Sequence, residues 1–311
     1  MTSGSNAASA TGYQHPDYAR AFSEYGRPRE LRHCRGWVLE RHISGFRCRD
    51  AMACYPLFAC QNWPQLHVDL DNLAEDLVSI SLVTDPFGQY EVTYLRECFH
   101  DVVYAYKQHF VVDLNDPVDS FVSKHHHRNV RRAWQELSVE RCPCPGACLD
   151  DWQALYAHLV KRNHLRGIAA FSRKSFARQL QVPGIVMLRA TRAGQTMGML
   201  LWYVQGSVGY YHLGAYSELG YELRASYALF SFALEYFARK GLRWLDLGAG
   251  AGVDGGSHDG LSRFKKGWSN GTRTAYFCGR IFDRNMYGEI VRAKRITTTR
   301  YFPAYRVGEF Q

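Results

Sequence analysis

The chain has 311 residues, of which 46% are hydrophobic, 14% aromatic and 22% charged. This composition excludes an intrinsically disordered chain, and the length accommodates two domains of ordinary size. No apolar run of about 18 residues occurs, which argues against a membrane-spanning helix. The net charge of +9 favours a polyanionic partner such as tRNA or a nucleotide-bearing substrate, although a basic chain is also compatible with mere solubility.

The start of the chain predicts a disordered leader. Residues 1–12 are rich in Ser, Ala, Thr and Gly and lack the basic start and apolar centre of a signal peptide. Nine cysteines scattered through such a chain indicate reduced thiols and a cytoplasmic location. Cys142, Cys144 and Cys148 are close enough in sequence to bind zinc, but prolines and the absence of a second thiol pair favour a linker. We therefore predict no metal site.

Residues 13–142 are predicted to form a first α/β domain. Apolar alternation with a period near two predicts strands, and Pro86 with Gly88 predicts a turn. The elements in chain order are a short helix at 13–26, strands at 36–40 and 52–58, an ambiguous helix or strand at 73–82, the turn at 85–90 and a strand at 109–114.

A basic helix is predicted over residues 119–137. Four of its side chains recur three to four residues apart and share one face: Lys124, Arg128, Arg131 and Arg132. Residues 125–127 are three consecutive histidines, which cannot surround one metal because consecutive helical side chains point about 100° apart. The basic face is either solvated surface or a surface for the phosphates of RNA or a nucleotide.

Residues 143–311 are predicted as the second domain, with 143–146 as the hinge. Asp150 or Asp151 and Ser172 are candidate caps of two helices. Three apolar runs joined by short turns then predict an antiparallel meander, followed by a helix that ends at a glycine. The elements are the runs 185–191, 197–205 and 207–216, the helix 227–240, a buried strand at 243–248 and a closing strand up to 282.

This order of elements resembles the core of the GNAT (Gcn5-related N-acyltransferase) fold. More narrowly, four segments look like the second domain of the Fem-type aminoacyltransferases: residues 209–212, 225–229, 244–248 and 260–268. The last is the most specific, because a Gly-Leu opening, an aromatic residue and a lysine pair recur there in that family. The resemblance implies an α/β (α+β) protein with two GNAT-like domains, each a mixed, mostly antiparallel sheet flanked by helices.

The same resemblance implies transfer of an aminoacyl group from aminoacyl-tRNA to an amine of a small peptide or natural product, with formation of an amide. No bound cofactor is expected, since aminoacyl-tRNA is a co-substrate. Lys265 beside Phe264 is expected near the terminal adenosine or phosphates of the donor, and Lys266 and Arg263 are expected to add phosphate contacts. The alternative for these residues is a solvated basic patch.

The turn at residues 85–90 matches an aromatic, glycine-bearing loop that faces the acceptor in relatives of the Fem type. Phe87 and Tyr90 are therefore expected to contact the acceptor; the alternative is an ordinary surface turn. A cell-wall precursor and a small-peptide natural product are both open as acceptors, and the lack of a coiled-coil arm favours the second. The sequence does not indicate the oligomeric state.

Aminoacyl transfer from an ester needs alignment of the amine, removal of its proton and stabilisation of the oxyanion, because the ester is already activated. The candidates for proton removal are His212 and Asp246, with Tyr211 as a hydrogen-bonding group. An unperturbed imidazole pKa near ~6.5 suits a base at neutral pH. Alternatively, His212 is a core histidine and Asp246 only anchors the glycine turn that follows it.

Three other functions fit parts of the sequence. An acyl-CoA N-acyltransferase on the same fold is the first, although residues 220–226 lack the paired glycines of a pyrophosphate loop and leave Arg224 and Ser226 as donor-binding candidates. A noncatalytic RNA-binding protein is the second. Residues 246–252 match the acidic-then-glycine signature of S-adenosylmethionine-dependent methyltransferases, but an antiparallel meander upstream is wrong for their parallel sheet.

Overall fold

We describe the protein from a computed structural model, in which residues 9–250 and 260–309 are placed. Within those ranges, eleven strands join in one sheet. The strands are β1 (Arg27–Leu31), β2 (Gly36–His42), β3 (Arg49–Ala53), β4 (Ser79–Val83), β5 (Val102–Asp113), β6 (Ser138–Cys142), β7 (Ile185–Arg192), β8 (Gln195–Gln205), β9 (Val208–Tyr216), β10 (Trp244–Asp246) and β11 (Gly271–Ile281). Their order across the sheet is β1-β2-β3-β4-β11-β5-β10-β9-β8-β7-β6.

Helices cover both faces of this sheet. They are α1 (Pro16–Arg20), α2 (Leu66–Leu73), α3 (Val92–Cys98), α4 (Val118–Phe121), α5 (Lys124–Glu136), α6 (Leu149–Asn163), α7 (Arg173–Gln179), α8 (Glu218–Glu222), α9 (Ala225–Arg239), α10 (Gly260–Lys266) and α11 (Arg284–Ala293). In the placed part of the chain, none of the helices combines the length and apolar character that crossing a bilayer requires.

The sheet is mixed and mostly antiparallel, which confirms the predicted fold class. Among the described strand pairs only β3–β4 and β9–β10 are parallel. The strand at the glycine run, β10, therefore lies between one parallel and one antiparallel neighbour. A methyltransferase would need a doubly wound parallel sheet at this point, so the topology removes the basis of that alternative.

The two halves of the chain share their central strands. β11, near the end of the chain, lies between β4 and β5, and β5 in turn pairs with β10. The basic helix α5 packs against α9, and β6 pairs with β7, so both lie with the C-terminal strands although they precede residue 143. The sheet is thus continuous from one half to the other.

Several predicted elements have different bounds in the structure. The predicted helix 119–137 is two helices, because Val122 is extended and Ser123 caps α5 by accepting a hydrogen bond from the His126 amide at 3.2 Å. The predicted strand 52–58 ends with β3 at Ala53, and residues 73–82 contain the end of α2 and the start of β4.

The N-terminal segment is attached to the C-terminal half. Thr11 Oγ1 donates to the Val204 carbonyl at 2.8 Å, and the Gly12 amide donates to the Pro183 carbonyl at 2.9 Å. These residues belong to the predicted leader, whose first eight residues lie outside the described part of the chain. The chain is therefore hydrogen-bonded to the fold from Thr11 onward, through the Thr11 side chain and the Gly12 backbone.

Side chains on the two faces of β9 pack in different hydrophobic cores. Tyr210 and His212 point to an aromatic core that includes Tyr13 and Tyr203, whereas Tyr211 points to the core under α9. This follows from the two-residue period of a strand. The predicted catalytic residues Tyr211 and His212 consequently lie on opposite faces of the sheet.

Candidate active site

β9 and β10 separate near the middle of the sheet. β10 pairs only with residues 208–210 of β9, although β9 continues to Tyr216. Beyond Asp246 the chain follows β5 instead: the Leu247 amide donates to the Phe110 carbonyl at 2.9 Å, and the Phe110 amide donates to the Gly248 carbonyl at 3.1 Å. The described backbone therefore opens a gap beside residues 211–216, as expected for a GNAT-like sheet.

A histidine and an aspartate meet at the start of this gap. His109 Nδ1 lies 3.0 Å from Oδ1 and 2.9 Å from Oδ2 of Asp246. The Asp246 side chain is 3% exposed and also accepts a hydrogen bond from the Gly248 amide at 2.7 Å. With Nδ1–H directed at the carboxylate, the lone pair of a neutral imidazole is on Nε2, which is the arrangement of a base held by an aspartate.

The sequence analysis identified Asp246 but did not identify His109 as a functional residue. His109 lies on β5 and Asp246 on β10, and these strands come from different halves of the chain. The local pattern predicted only a strand at 109–114. No signal in the single sequence showed that this strand pairs with the one before the glycine run.

A second buried carboxylate lies on the same side of the sheet. Asp85 accepts a hydrogen bond from the Tyr210 hydroxyl at 2.9 Å and one from the Phe87 amide at 2.8 Å. Burial, reinforced by the charge of Asp246, raises the pKa of Asp85 to about 6, although both hydrogen bonds oppose the change. Two acidic groups thus border the region of His109 and favour a cationic ligand there.

The predicted acceptor loop places its two aromatic residues differently. The Phe87 ring lies 6.0 Å from that of Tyr210 and 5.8 Å from that of Trp244, beside Asp85. Tyr90 instead packs on Trp63 at 4.5 Å in the N-terminal core. Phe87 is therefore on the side of the loop that is near the His109–Asp246 pair, whereas Tyr90 anchors the loop to the N-terminal core.

His212 occupies a closed hydrogen-bonded network. Its Nδ1 lies 3.2 Å from the Tyr13 hydroxyl, and its Nε2 lies 2.9 Å from Gln179 Oε1. Burial lowers the pKa of His212 to about 3, so the imidazole is neutral at physiological pH. Both ring nitrogens are engaged by residues other than Asp246, and the base role predicted for His212 remains a prediction.

Lys265 lies on the other face, next to the glycine run. Its side chain is buried, and Nζ donates to the Ala249 carbonyl at 2.7 Å and lies 5.5 Å from the centre of the Tyr211 ring. Lys107 Nζ donates to the Gly250 carbonyl at 3.3 Å. Two ammonium groups therefore fix successive carbonyls beside the gap. Residues 251–259, which include the last two residues of the glycine run, lie outside the described residues.

Phe264 joins α10 to the basic helix through His126. The Phe264 ring packs on those of Phe230 at 5.0 Å and Tyr227 at 5.2 Å. His126 Nε2 lies 2.9 Å from the Phe264 carbonyl, and Nδ1 lies 2.7 Å from Ser123 Oγ. Burial lowers the pKa of His126, which fits a structural role for this member of the histidine triplet.

The remaining predicted donor-binding residues lie on α5, on α10 and at the start of α9. Tyr227, in the first turn of α9, has its hydroxyl 3.4 Å from His125 Nε2, so α5 borders that helix terminus. Arg224 adopts a left-handed backbone with φ of 59° just before α9, and Ser226 is in its first turn. The exposed basic side chains of this set on α5 and α10 are Lys124, Arg128, Arg131, Arg132, Arg263 and Lys266.

Two other features lie away from this region. The thiols of Cys142 and Cys148 interact, and burial together with Cys148 raises the pKa of Cys142 to about 12, while Cys144 is exposed. Across residues 9–250 and 260–309, no three His, Cys, Asp or Glu side chains are arranged to hold a metal. Two surface depressions, lined in part by His67 and by Asp69, contain none of the predicted site residues.

Residues 124–266 match the family model described as an acetyltransferase (GNAT) domain. This range begins with α5 and ends with α10, so it contains Asp246 and Lys265 but neither His109 nor Asp85. No match was found among curated proteins.

Three solved structures share the fold of nearly the whole chain. FemX is 14% identical with a TM-score of 0.64, covering 88% of this chain and 93% of its own. L-PGS from Bacillus licheniformis is 13% identical with a TM-score of 0.58, covering 92% and 97%. A DUF2156 domain from Agrobacterium fabrum is 10% identical with a TM-score of 0.60, covering 90% and 93%. The comparisons confirm the predicted likeness to GNAT and Fem-type proteins.

Proposed function

We propose that this protein, which carries a GNAT domain in a Fem-like fold, is an N-acyltransferase that moves an aminoacyl group from aminoacyl-tRNA to an amine of a small peptide or natural product. The observation that carries the proposal is the His109–Asp246 pair at the point where β9 and β10 separate. A base held by a buried carboxylate, beside a gap in the sheet, is suited to removing a proton from an acceptor amine.

In the proposed reaction, His109 Nε2 takes a proton from the acceptor ammonium group. The free amine attacks the ester carbonyl carbon, a C–N bond forms and the carbonyl oxygen becomes an oxyanion. His109 passes this first proton to solvent and takes a second one from the nitrogen of the tetrahedral intermediate. The ester C–O bond then breaks, and the leaving ribose oxygen receives this second proton from His109. Lys265 and Lys107 keep the carbonyls of Ala249 and Gly250 in place beside the gap. Through this gap the Lys265 ammonium on the other face of the sheet stabilises the oxyanion.

The donor is proposed to lie along the basic surface formed by α5, α10 and the start of α9. The N-terminus of α9 presents the positive end of the helix dipole to a phosphate, and α5 packs beside it. The fold shared with FemX and L-PGS supports aminoacyl-tRNA as this donor. The exposed arginines of α5 would contact successive phosphates of its backbone.

Acyl-CoA is the second candidate donor, because the matched domain model is that of acetyltransferases. Gly220 lies at the position of the pyrophosphate loop of acyl-CoA enzymes. Its surroundings argue against acyl-CoA and therefore favour tRNA. A Cβ atom at Gly220 would lie 1.9 Å from the Met197 carbonyl oxygen, so this glycine is needed for packing against β8 rather than for contact with a ligand.

The test is a pair of parallel reactions with the same panel of amines, one supplied with a charged tRNA pool and one with acetyl-CoA, analysed by mass spectrometry. We expect an aminoacyl amide only in the tRNA reaction, and its loss in Asp246→Asn. An acetylated amine formed only with acetyl-CoA would establish the second candidate. Binding of tRNA without any amide product would show a noncatalytic RNA-binding protein and contradict the proposal.

A further inference from the structure

An arginine next to the candidate base lies against two neighbouring aromatic side chains. Arg273 lies on β11, and its Cζ atom is 4.3 Å from the centre of the Phe87 ring and 4.9 Å from the centre of the Trp244 ring. Contact of this kind covers part of the guanidinium and leaves its other N–H groups available for hydrogen bonds. The side chain is half-buried.

Arg273 differs from the other half-buried arginines that lie over aromatic rings. Arg280, on the same strand, lies over Phe282 and forms an ion pair with Asp71 at 2.8 Å. Arg306 lies over Tyr305 and binds Asp50 at 2.9 Å. Within the placed residues, by contrast, no carboxylate is within ion-pair distance of Arg273 and no hydrogen bond to its guanidinium occurs. Its donors are therefore bonded to none of the described residues.

The position of Arg273 relates it directly to the base. Arg273 and His109 are opposite each other in the β11–β5 register, which brings the Cβ atoms of such residues to about 5 Å. Phe87, which covers the guanidinium, follows Asp85 in the predicted acceptor loop, and Trp244 is two residues before Asp246 on β10. The cationic group and the two acidic groups therefore border one region on one face of the sheet.

We propose that Arg273 binds a carboxylate of the acceptor, which makes the acceptor an amino acid or short peptide with a carboxylate a few bonds from its reacting amine. This assignment rests on the proposed function and specifies its acceptor. The ammonium group of such a ligand faces Asp85, Asp246 and His109, while the carboxylate accepts two parallel hydrogen bonds from the guanidinium edge. An amine without an anionic group leaves Arg273 without a partner.

The test measures binding of two uncapped-amine probes by calorimetry in the absence of any donor: glycylglycine and glycylglycinamide, which differ only in the carboxylate. Wild-type protein is expected to bind glycylglycine roughly 10- to 100-fold more tightly than the amide. Arg273→Gln removes that preference, and Arg273→Lys restores part of it because a lysine keeps the charge without the paired donors. Arg280→Gln, a stacked arginine whose charge is already paired, keeps the wild-type preference.

The outcomes separate this inference from the proposed function. Equal binding of the two probes by wild type, including no binding of either, overturns the carboxylate site, as does an unchanged preference in Arg273→Gln. A carboxylate preference that depends on Arg273, in a protein that makes no amide from any donor, supports the site while the transfer reaction fails. The comparison of two probes on wild-type protein does not depend on the folding of any variant.

Discussion

His109 Nδ1 lies 2.9 Å from Asp246 Oδ2 although the two residues are 137 positions apart in the chain. The contact exists because β5 from the N-terminal half pairs with β10 from the C-terminal half. Neither half alone contains both members of the pair. The matched GNAT domain at residues 124–266 therefore supplies the carboxylate, and the strand that precedes it supplies the imidazole.

Replacing His109 is expected to reduce kcat for amide formation by about 10²- to 10⁴-fold, the usual contribution of a general base. His109→Gln retains hydrogen bonding to Asp246 but has no basic nitrogen. Steady-state rates with saturating donor measure the effect, and His158→Gln, an exposed histidine on α6, is the matched control. A variant that keeps the wild-type kcat would show that His109 is not the base.

Lys265→Met is expected to lower kcat strongly, by about 10²-fold or more, while the protein stays folded. Methionine preserves much of the buried volume but removes the ammonium group that binds the Ala249 carbonyl and lies over Tyr211. Rates are compared with those of Lys161→Met, an exposed lysine on α6 that lies outside the proposed donor surface. Equal activity of the two variants contradicts a role for the buried charge, provided their circular dichroism spectra agree.

The sequence was sufficient for the elements with a strong local period. The meander, the helix and the short strand before the glycine run occur as β7, β8, β9, α9 and β10, with bounds within a few residues of those predicted. These segments alternate or repeat apolar residues regularly, and glycines mark their ends. Asp246 was identified for the same reason, because an acidic residue before a glycine turn is a local signal.

The parts that depend on pairing between distant strands were not predictable from one sequence. His109, Asp85 and Arg273 come together only because β11 inserts between β4 and β5. For His212, the position on the central meander suggested a base. Its hydrogen-bond partners, Tyr13 and Gln179, are remote in sequence and could not be identified. Burial and hydrogen-bond partners decide the chemistry of a histidine, and neither can be read from the residues next to it in sequence.

The acid stability of the protein is expected to depend on His212. Its folded pKa of about 3 lies below the ordinary histidine value of 6.5, so between these pH values the unfolded chain binds a proton that the folded chain does not. Unfolding free energy therefore falls as the pH decreases through this window. Asp85 acts in the opposite sense between the ordinary aspartate pKa of 3.8 and its own pKa of about 6, because its raised pKa stabilises the fold at the acidic end.

Urea unfolding of wild type and His212→Gln from pH 7 to pH 4 isolates the contribution of His212, since Asp85 is common to both proteins. We expect the wild type to lose more stability on acidification than the variant. If the unfolding free energy fell equally with pH in both proteins, His212 would not be the source of this pH dependence. His158→Gln serves as the exposed control.

Gly267→Ala is expected to destabilise the protein by about 1–3 kcal/mol through overpacking. A Cβ atom at Gly267 would lie 2.1 Å from the His126 ring, and the Gly267 carbonyl also accepts the Ser123 amide at 3.0 Å. In Gly288→Ala, within α11, the new Cβ has open space, so this control is expected to be neutral or more stable by up to about 1 kcal/mol. Equal urea midpoints for Gly267→Ala and wild type would contradict the contact between α5 and α10.

The exposed arginines of α5 are expected to set the salt dependence of tRNA binding. If Arg128 and Arg131 each contact a phosphate, then Arg128→Gln and Arg131→Gln each reduce the slope of log K against log salt concentration by roughly 1. Filter binding at several salt concentrations gives the slope. Arg192→Gln is the control, because Arg192 is equally exposed but is paired with Glu136 at 2.9 Å. Slopes that match wild type in both α5 variants would place the tRNA elsewhere on the protein, since a phosphate contact cannot be lost without releasing fewer counterions.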